Sequence, residues 1–287
     1  MRKAQIAFRK LLGPILHPAE FIRYVANFEE WFQGRAEALR MTVAAKASPA
    51  GSPGTLDPSR NSLIDFYLNG SHRGMTKPIH FLEAYLPHFA EMRERGRVRL
   101  LEIGVFSGGS LEMYRQFFTG TDLHIVGVDI DADCRDFAAA DTRIELGDQE
   151  DRGFWRRFKG QHEPFDVIVD DGGHTCEQQI VTFESMFDMV TPGGVYIIED
   201  IGGSTHGRFL AYVTGLMTAY NYTPPAPQPV HRDIRSIECI PGCIIIRKRA
   251  DPAALEFRGP WVGNSWTKAA SALYARYNDG RSPPTVR

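Results

Sequence analysis

The sequence predicts a doubly wound α/β fold with a mostly parallel sheet that closes in an antiparallel hairpin. Three observations carry that prediction. From Val98 onward, short apolar runs alternate with helix-length segments, the pattern of a parallel sheet covered on both faces. A glycine-rich turn or a carboxylate follows each of the first five runs. Two further strand-like runs near residue 240 flank a Pro-Gly turn.

The runs are Val98–Ile103, His124–Asp129, Arg143–Leu146, Phe165–Asp170 and Gly194–Glu199. Helices are predicted near Ser110–Phe118, Asp133–Ala139, Asp151–Phe158, Glu177–Val190 and Arg208–Tyr220. The hairpin reads Ser236–Ile240, Pro241-Gly242, then Cys243–Arg247. Four segments follow from composition. Residues 1–45 are expected to form a helical extension, because Phe21, Tyr24, Val25, Phe28 and Trp31-Phe32 recur at helical spacing. Residues 46–61 contain Ser-Pro-Ala-Gly-Ser-Pro-Gly, which builds no core and reads as a linker. Residues 62–249 are the main domain, with Ser62 to about Met92 expected to be helical. Residues 250–287 are a polar tail carrying Trp261 and Trp266.

The chain of 287 residues has 43% apolar and 24% charged residues, ordinary for a soluble globular protein, and a net charge of −2. That balance gives no reason to expect a nucleic-acid partner. No apolar run approaches the roughly 20 residues of a membrane span. Arg9, Lys10, Gly13 and Pro14 interrupt any signal-peptide core, so a cytoplasmic location is expected. Cys134, Cys176, Cys239 and Cys243 lack the density of a secreted disulfide framework and the spacing of a zinc site, and read as thiols. The N-terminal extension and the tail suggest a homo-oligomer.

Ligands of doubly wound sheets bind beyond the carboxyl ends of the strands. The first strand runs into Leu101-Glu102-Ile103-Gly104-Val105-Phe106-Ser107-Gly108-Gly109-Ser110. Glycines there allow close backbone approach, and the following helix offers free N–H groups to a carboxylate or phosphate. The spacing is neither the G-x-G-x-x-G of dinucleotide sites nor a P-loop. Asp129 ends the second strand, where a carboxylate can accept from both ribose hydroxyls of a nucleoside. Asp148 and Gln149 follow the third, within reach of an adenine amino group, with helix capping the rival role for Asp148.

The fourth and fifth strands run into Asp170-Asp171-Gly172-Gly173-His174 and Glu199-Asp200. Adjacent strand ends gather four carboxylates and an imidazole, and such a group calls for a cation. Oxygen ligands suit Mg²⁺, with Mn²⁺ or Ca²⁺ as alternatives. Alternation along the strand aims Asp170 away from Asp171, toward a structural or cofactor-side role. A helix cap is the rival role for Asp171. Phe66, Tyr67, Phe81, Tyr85 and Phe89 are either acceptor-stacking or core residues. His72, Arg73, Lys77, His206 and Arg208 are candidate rim contacts.

The segment from about Arg99 to Gly203 resembles the metal-dependent sugar O-methyltransferases of macrolide biosynthesis, the mycinamicin and tylosin type, and the wider cephalosporin hydroxylase-like group. The matching residues are Leu101-Glu102-Ile103-Gly104, Gly108-Gly109-Ser110-Leu111, Val128-Asp129, Gly147-Asp148, Asp170 to His174, Thr191-Pro192-Gly193-Gly194 and Glu199-Asp200. The resemblance implies a class I methyltransferase fold, S-adenosylmethionine as cofactor and Mg²⁺ or Mn²⁺ as metal. Under it, Glu102, Gly104, Ser107, Gly109, Ser110, Asp129, Asp148, Gln149 and Asp170 are the cofactor-side residues. It implies Asp171, Glu199 and Asp200 as metal ligands and His174 as general base. The implied acceptor is a small hydroxylated molecule, a sugar or glycoside. The loop Ile201-Gly202-Gly203-Ser204 and the His80 to Tyr85 region depart from the family pattern. Three rivals stand beside this reading: a catechol or phenol methyltransferase, a nicotinamide-linked oxidoreductase, and a methyltransferase-fold binding protein without turnover.

Overall fold

The computed structural model describes residues 61–202, 206–221 and 233–251, with positions 267, 271, 272 and 275. The N-terminal extension, all of the linker but Asn61, and nearly all of the tail lie outside the described residues.

The described residues begin with α1 (Ser62–Asn69), whose first turn is capped by Asn61: its side chain accepts from Leu63 N and Ile64 N. The same side chain donates to Leu82 O at 3.1 Å and ties α1 to α2 (Ile79–Arg93). The expected single helical stretch is therefore broken. Gly70 ends α1, and the nine residues up to Pro78 form a loop before α2. Proline at position 78 forces its predecessor out of helical conformation, so Lys77 stands on the loop.

Then follow β1 (Arg97–Ile103), α3 (Gly109–Phe117), β2 (Asp122–Asp129), a 3₁₀ turn (Ala132–Phe137), β3 (Thr142–Leu146) and α4 (Arg152–Lys159). Next come β4 (Phe165–Asp170), α5 (Cys176–Met186), β5 (Val190–Ile201), α6 (Gly207–Asn221), β6 (Ile234–Ile240) and β7 (Gly242–Lys248). The helix predicted after β2 is only that 3₁₀ turn, because the chain folds back at once: Ala139 bridges to Thr142. The helix predicted to reach Val190 stops at Met186, since Val190 already pairs with Phe165 in the sheet.

The sheet order is β3-β2-β1-β4-β5-β7-β6, parallel through β5 and antiparallel for β7 and β6. This is the predicted doubly wound architecture with its closing hairpin. Alternation along the strands builds two cores. Val98 and Leu100 of β1, Val167 and Val169 of β4, and Val195 and Ile197 of β5 face α2 and α3. Leu101, Ile103, Ile168, Tyr196 and Ile198 face Trp155, Phe183 and Phe209 on the other side. Phe81, Tyr85 and Phe89 are fully buried core residues, with Phe89 packed within 6 Å of four other rings. Burial of one such ring stabilises the fold by about 1.5–3 kcal/mol. The four cysteines are free thiols. No helix among the described residues is long and apolar enough to cross a membrane.

Strand order reverses between β1 and β4, and the crevice that this reversal opens at the carboxyl ends of the strands is where ligands of such sheets bind.

Candidate active site

A cavity of about 550 Å³ occupies that crevice. Its walls are the loops after β1, β2, β3 and β4, closed by Gly74 to Lys77 of the α1–α2 loop. Gly104, Ser107, Gly109, Ser110, Asp129, Asp148, Gln149, Asp171 and His174 all line it.

Two glycines make this shape possible. Gly104 has φ +88°, and a Cβ there would lie 2.1 Å from the Asp171 carbonyl oxygen. A Cβ on Gly109 would lie 2.5 Å from the carbonyl oxygen of Arg73, on the closing loop. Gly108 caps α3 with no side-chain acceptor, so the first N–H groups of that helix are left for a ligand. Asp129 ties the β1 loop to the end of β2. Its Oδ2 accepts from Val105 N at 2.8 Å and Phe106 N at 3.0 Å, and its Oδ1 from Asp131 N at 2.9 Å. Burial pushes this carboxyl up, but the three backbone donors outweigh it and hold the group below the usual carboxylate range.

Asp148 accepts from Glu150 N at 2.8 Å, and Asp151, not Asp148, is the cap of α4. Gln149 is buried and stitches two loops: Oε1 accepts from Gly173 N at 2.7 Å, while Nε2 donates to Asp170 and Thr182.

Two expected cofactor-side residues stand outside the cavity lining. Glu102 is fully buried on the α2–α3 side of the sheet, where it accepts from Tyr114 OH at 3.1 Å. Strand alternation places it with Leu100 instead of at the rim. Burial, opposed by Lys77, pushes its carboxyl up to about 8. Asp170 faces the opposite core, bonded to Gln149 Nε2 at 3.1 Å and Tyr196 OH at 3.4 Å. Burial pushes it up to about 7. Asp170 acts on the cavity through Gln149 and through the backbone of Gly172.

The acidic end is built on backbone strain. His174 has φ +58° and Asp200 φ +55°, a left-handed conformation rare outside glycine. Asp171 is not a helix cap. Thr175 and Gln178 form the capping box of α5 and leave Asp171 and His174 on the preceding turn. The left-handed Asp200 sits where β5 slips register against β7, and half-exposed it turns toward the same turn. Asp171, His174 and Asp200 each bring one ligand atom to within 4.8 Å of the others. His174 Nε2 lies 3.9 Å from Asp171 Oδ1 and 3.5 Å from Asp200 Oδ2, and its Nδ1 is buried with no hydrogen-bond partner among the described residues. His206 Nε2 donates to the His174 carbonyl at 2.9 Å and so holds the strained turn.

Glu199, expected beside Asp200 as a ligand, is outside that three-residue group. Alternation in β5 puts it on the α2 side with Ile197, where its Oε1 accepts from Tyr85 OH and, at 2.6 Å, from Lys77 Nζ. Lys77 Nζ also donates to Asp171 Oδ2. Burial alone would push the Lys77 ammonium down, yet Glu199, Asp171 and Glu102 outweigh it and raise it above the ordinary lysine value. Burial raises Glu199 to about 7 against the pull of Lys77. Sequence reading placed Lys77 only among rim contacts. The Pro78 helix start was the available signal, and it carries no information on where the side chain goes.

The carboxylate oxygens of Asp171 and Asp200, completed by water, fit a divalent cation, Mg²⁺ or Mn²⁺, with the His174 imidazole beside them.

Residues 101–201 match the family described as methyltransferase domain. The chain is similar to demethylmacrocin O-methyltransferase of Streptomyces fradiae, at 31% identity over 205 residues, covering 67% of this chain and 50% of the relative. It is also similar to mycinamicin VI 2''-O-methyltransferase of Micromonospora griseorubida, at 36% identity over 142 residues, covering 46% of this chain and 35% of the relative. Among solved structures, the chain resembles MycE methyltransferase of the mycinamycin biosynthetic pathway in complex with Mg and SAH. The TM-score is 0.56 at 28% identity, covering 68% of this chain and 56% of that one. The same enzyme with Mg, SAH and mycinamycin VI gives 0.56 at 26% identity, covering 82% and 62%. The chain spans half or less of the length of the curated relatives it matches.

Proposed function

We propose that this chain is an S-adenosylmethionine-dependent O-methyltransferase that acts on a sugar hydroxyl of a glycosylated natural product with the help of Mg²⁺ or Mn²⁺. The observation that carries the reading is the Asp171, His174 and Asp200 group at the mouth of a glycine- and carboxylate-lined crevice. The relatives, named for methylation of sugars on macrolides and tetracenomycins, support the acceptor class.

In this reading the uncapped start of α3 receives the cofactor carboxylate, and Gly104 and Gly109 leave room for its chain. Asp129 offers Oδ1, which takes only one backbone donor, to a ribose hydroxyl, and Asp148 and Gln149 stand at the adenine end. Ser107 and Ser110 complete the wall. A cavity of about 550 Å³ suits a nucleoside-sized ligand. Asp171 and Asp200 would hold the ion, with Glu199 behind them on Lys77. A divalent ion there supplies Lewis-acid chemistry, easing loss of a proton from the acceptor hydroxyl. His174 Nε2 accepts that proton as general base. The turn held by His206 fixes the backbone that carries the imidazole, so the base would stand ready at the cavity mouth.

Calorimetric titration of the chain with S-adenosylmethionine, S-adenosylhomocysteine, NAD⁺ and Mg²⁺ tests the proposal. The expected result is binding of the first two ligands and of Mg²⁺, the latter lost in Asp200→Ala. Turnover on a glycoside panel that survives exhaustive chelation would sink the metal assignment. Binding of NAD⁺ in place of S-adenosylmethionine would sink the reaction class.

A further inference from the structure

Lys77 is outside the proposed ligand and base set, yet its ammonium stands where three neighbouring strand ends meet. Glu102 of β1, Asp171 after β4 and Glu199 of β5 all act on it. Its side chain is 2% exposed. Nζ donates to Asp171 Oδ2 and to Glu199 Oε1, and the latter oxygen also takes the Tyr85 hydroxyl. These bonds divide the two carboxylates by oxygen. Asp171 gives Oδ2 to Lys77 and turns Oδ1 toward His174 Nε2, 3.9 Å away. Glu199 has Oε1 occupied twice. The backbone that carries Lys77 is itself held: Lys77 N donates to Tyr67 OH at 3.4 Å, and Pro78 starts α2 directly after it.

We propose that Lys77 is a positioning residue of the metal site, which takes one oxygen from Asp171 and one from Glu199 and so presents Asp171 to the ion through Oδ1 alone. The inference rests on the metal reading above. Partners that orient the ligands of a metal centre govern its affinity as the ligands themselves do. The arrangement also matches charge. Asp171, Glu199 and Asp200 bring three carboxylates to this end of the sheet, and the ammonium offsets one of them, leaving the balance for a single divalent cation. Because Gly74 to Lys77 wall the cofactor cavity, the same side chain anchors that wall to the ends of β4 and β5.

The test is direct Mn²⁺ binding to the full chain, read from the free-ion paramagnetic resonance signal with S-adenosylhomocysteine present. Lys77→Met is expected to weaken Mn²⁺ at least about tenfold, and more than it weakens S-adenosylhomocysteine, since the outer partner of a metal ligand is worth roughly 10–100-fold in affinity. If Lys77→Met does not fold, the double variant Lys77→Met with Glu199→Gln removes the unpaired buried charge, and it is compared with Glu199→Gln alone. The same loss is expected on that background. Unchanged or tighter Mn²⁺ binding in a folded Lys77 variant overturns the inference, tighter binding marking Lys77 as a competitor of the ion. A wild-type chain that binds no Mn²⁺ overturns the metal reading beneath it.

Discussion

Replacing Gly104 by alanine adds one methyl group at the junction of the cofactor turn and the proposed metal loop. The residue has φ +88°, and an L side chain in the left-handed region costs about 1–2 kcal/mol. The new Cβ would lie 2.1 Å from Asp171 O, 2.7 Å from Asp171 C and 2.9 Å from Gly172 Cα. All three are backbone atoms, so no rotamer change relieves the contact. Ordinary packing needs about 3.5 Å, so the chain at Asp171 must retreat by roughly 1 Å or more. Overpacking of that kind costs about 1–3 kcal/mol. The retreat also stretches the bond from Asp171 N to Ile103 O, now 2.9 Å. The expected destabilisation is about 2–5 kcal/mol, the sum of the two terms. Urea unfolding followed by circular dichroism measures it, and Mn²⁺ titration reads the displaced Asp171. A variant within about 1 kcal/mol of wild type that still binds Mn²⁺ normally would refute the reasoning, because a mutation this close to backbone cannot be silent.

Three further outcomes follow from the same geometry. His174→Ala should lower turnover by about 10²–10⁴-fold, the usual worth of a general base, with S-adenosylmethionine affinity retained; equal turnover on the same acceptor removes the base assignment. Asp129→Asn puts an N–H group against one of three backbone donors and removes the charge from the ribose site; calorimetry should show S-adenosylmethionine weakened about tenfold or more, with Mn²⁺ binding unaffected. Asp170 and Glu102 have folded values raised to about 7 and about 8 by burial, so the folded chain binds more protons than the unfolded one above about pH 4. Their contribution is present at low pH and is lost as pH rises through the folded values, by about 1.4 kcal/mol per unit for each fully differing group. Asp170→Asn keeps an acceptor for Gln149, so urea unfolding should show little change near pH 5 and a gain in stability near pH 8; a loss at pH 8 would mean that Asp170 is held ionised.

The order of elements was legible without coordinates, because strand and helix periods differ and each strand end carries its own chemistry. The glycine turn at Gly104, the carboxylate at Asp129, the turn bearing Asp171 and His174, and the exposed Asp200 were all readable in this way. Each is a local feature of a strand end, and a parallel sheet brings such ends together. Three things needed the tertiary structure. Glu102 and Asp170 read as cofactor-side residues, and alternation against the two cores buries them on opposite faces of the sheet. Glu199 and Asp200 are neighbours in sequence, and a left-handed residue at a register slip sends their side chains to different surroundings. Lys77 is 94 residues from Asp171 and 122 from Glu199, in a loop that sequence read as helix. Periodicity reports which face a residue shares with its own element. It does not report which buried charge will be answered by a cation from a distant loop, because that pairing depends on how α1 and α2 pack over the sheet.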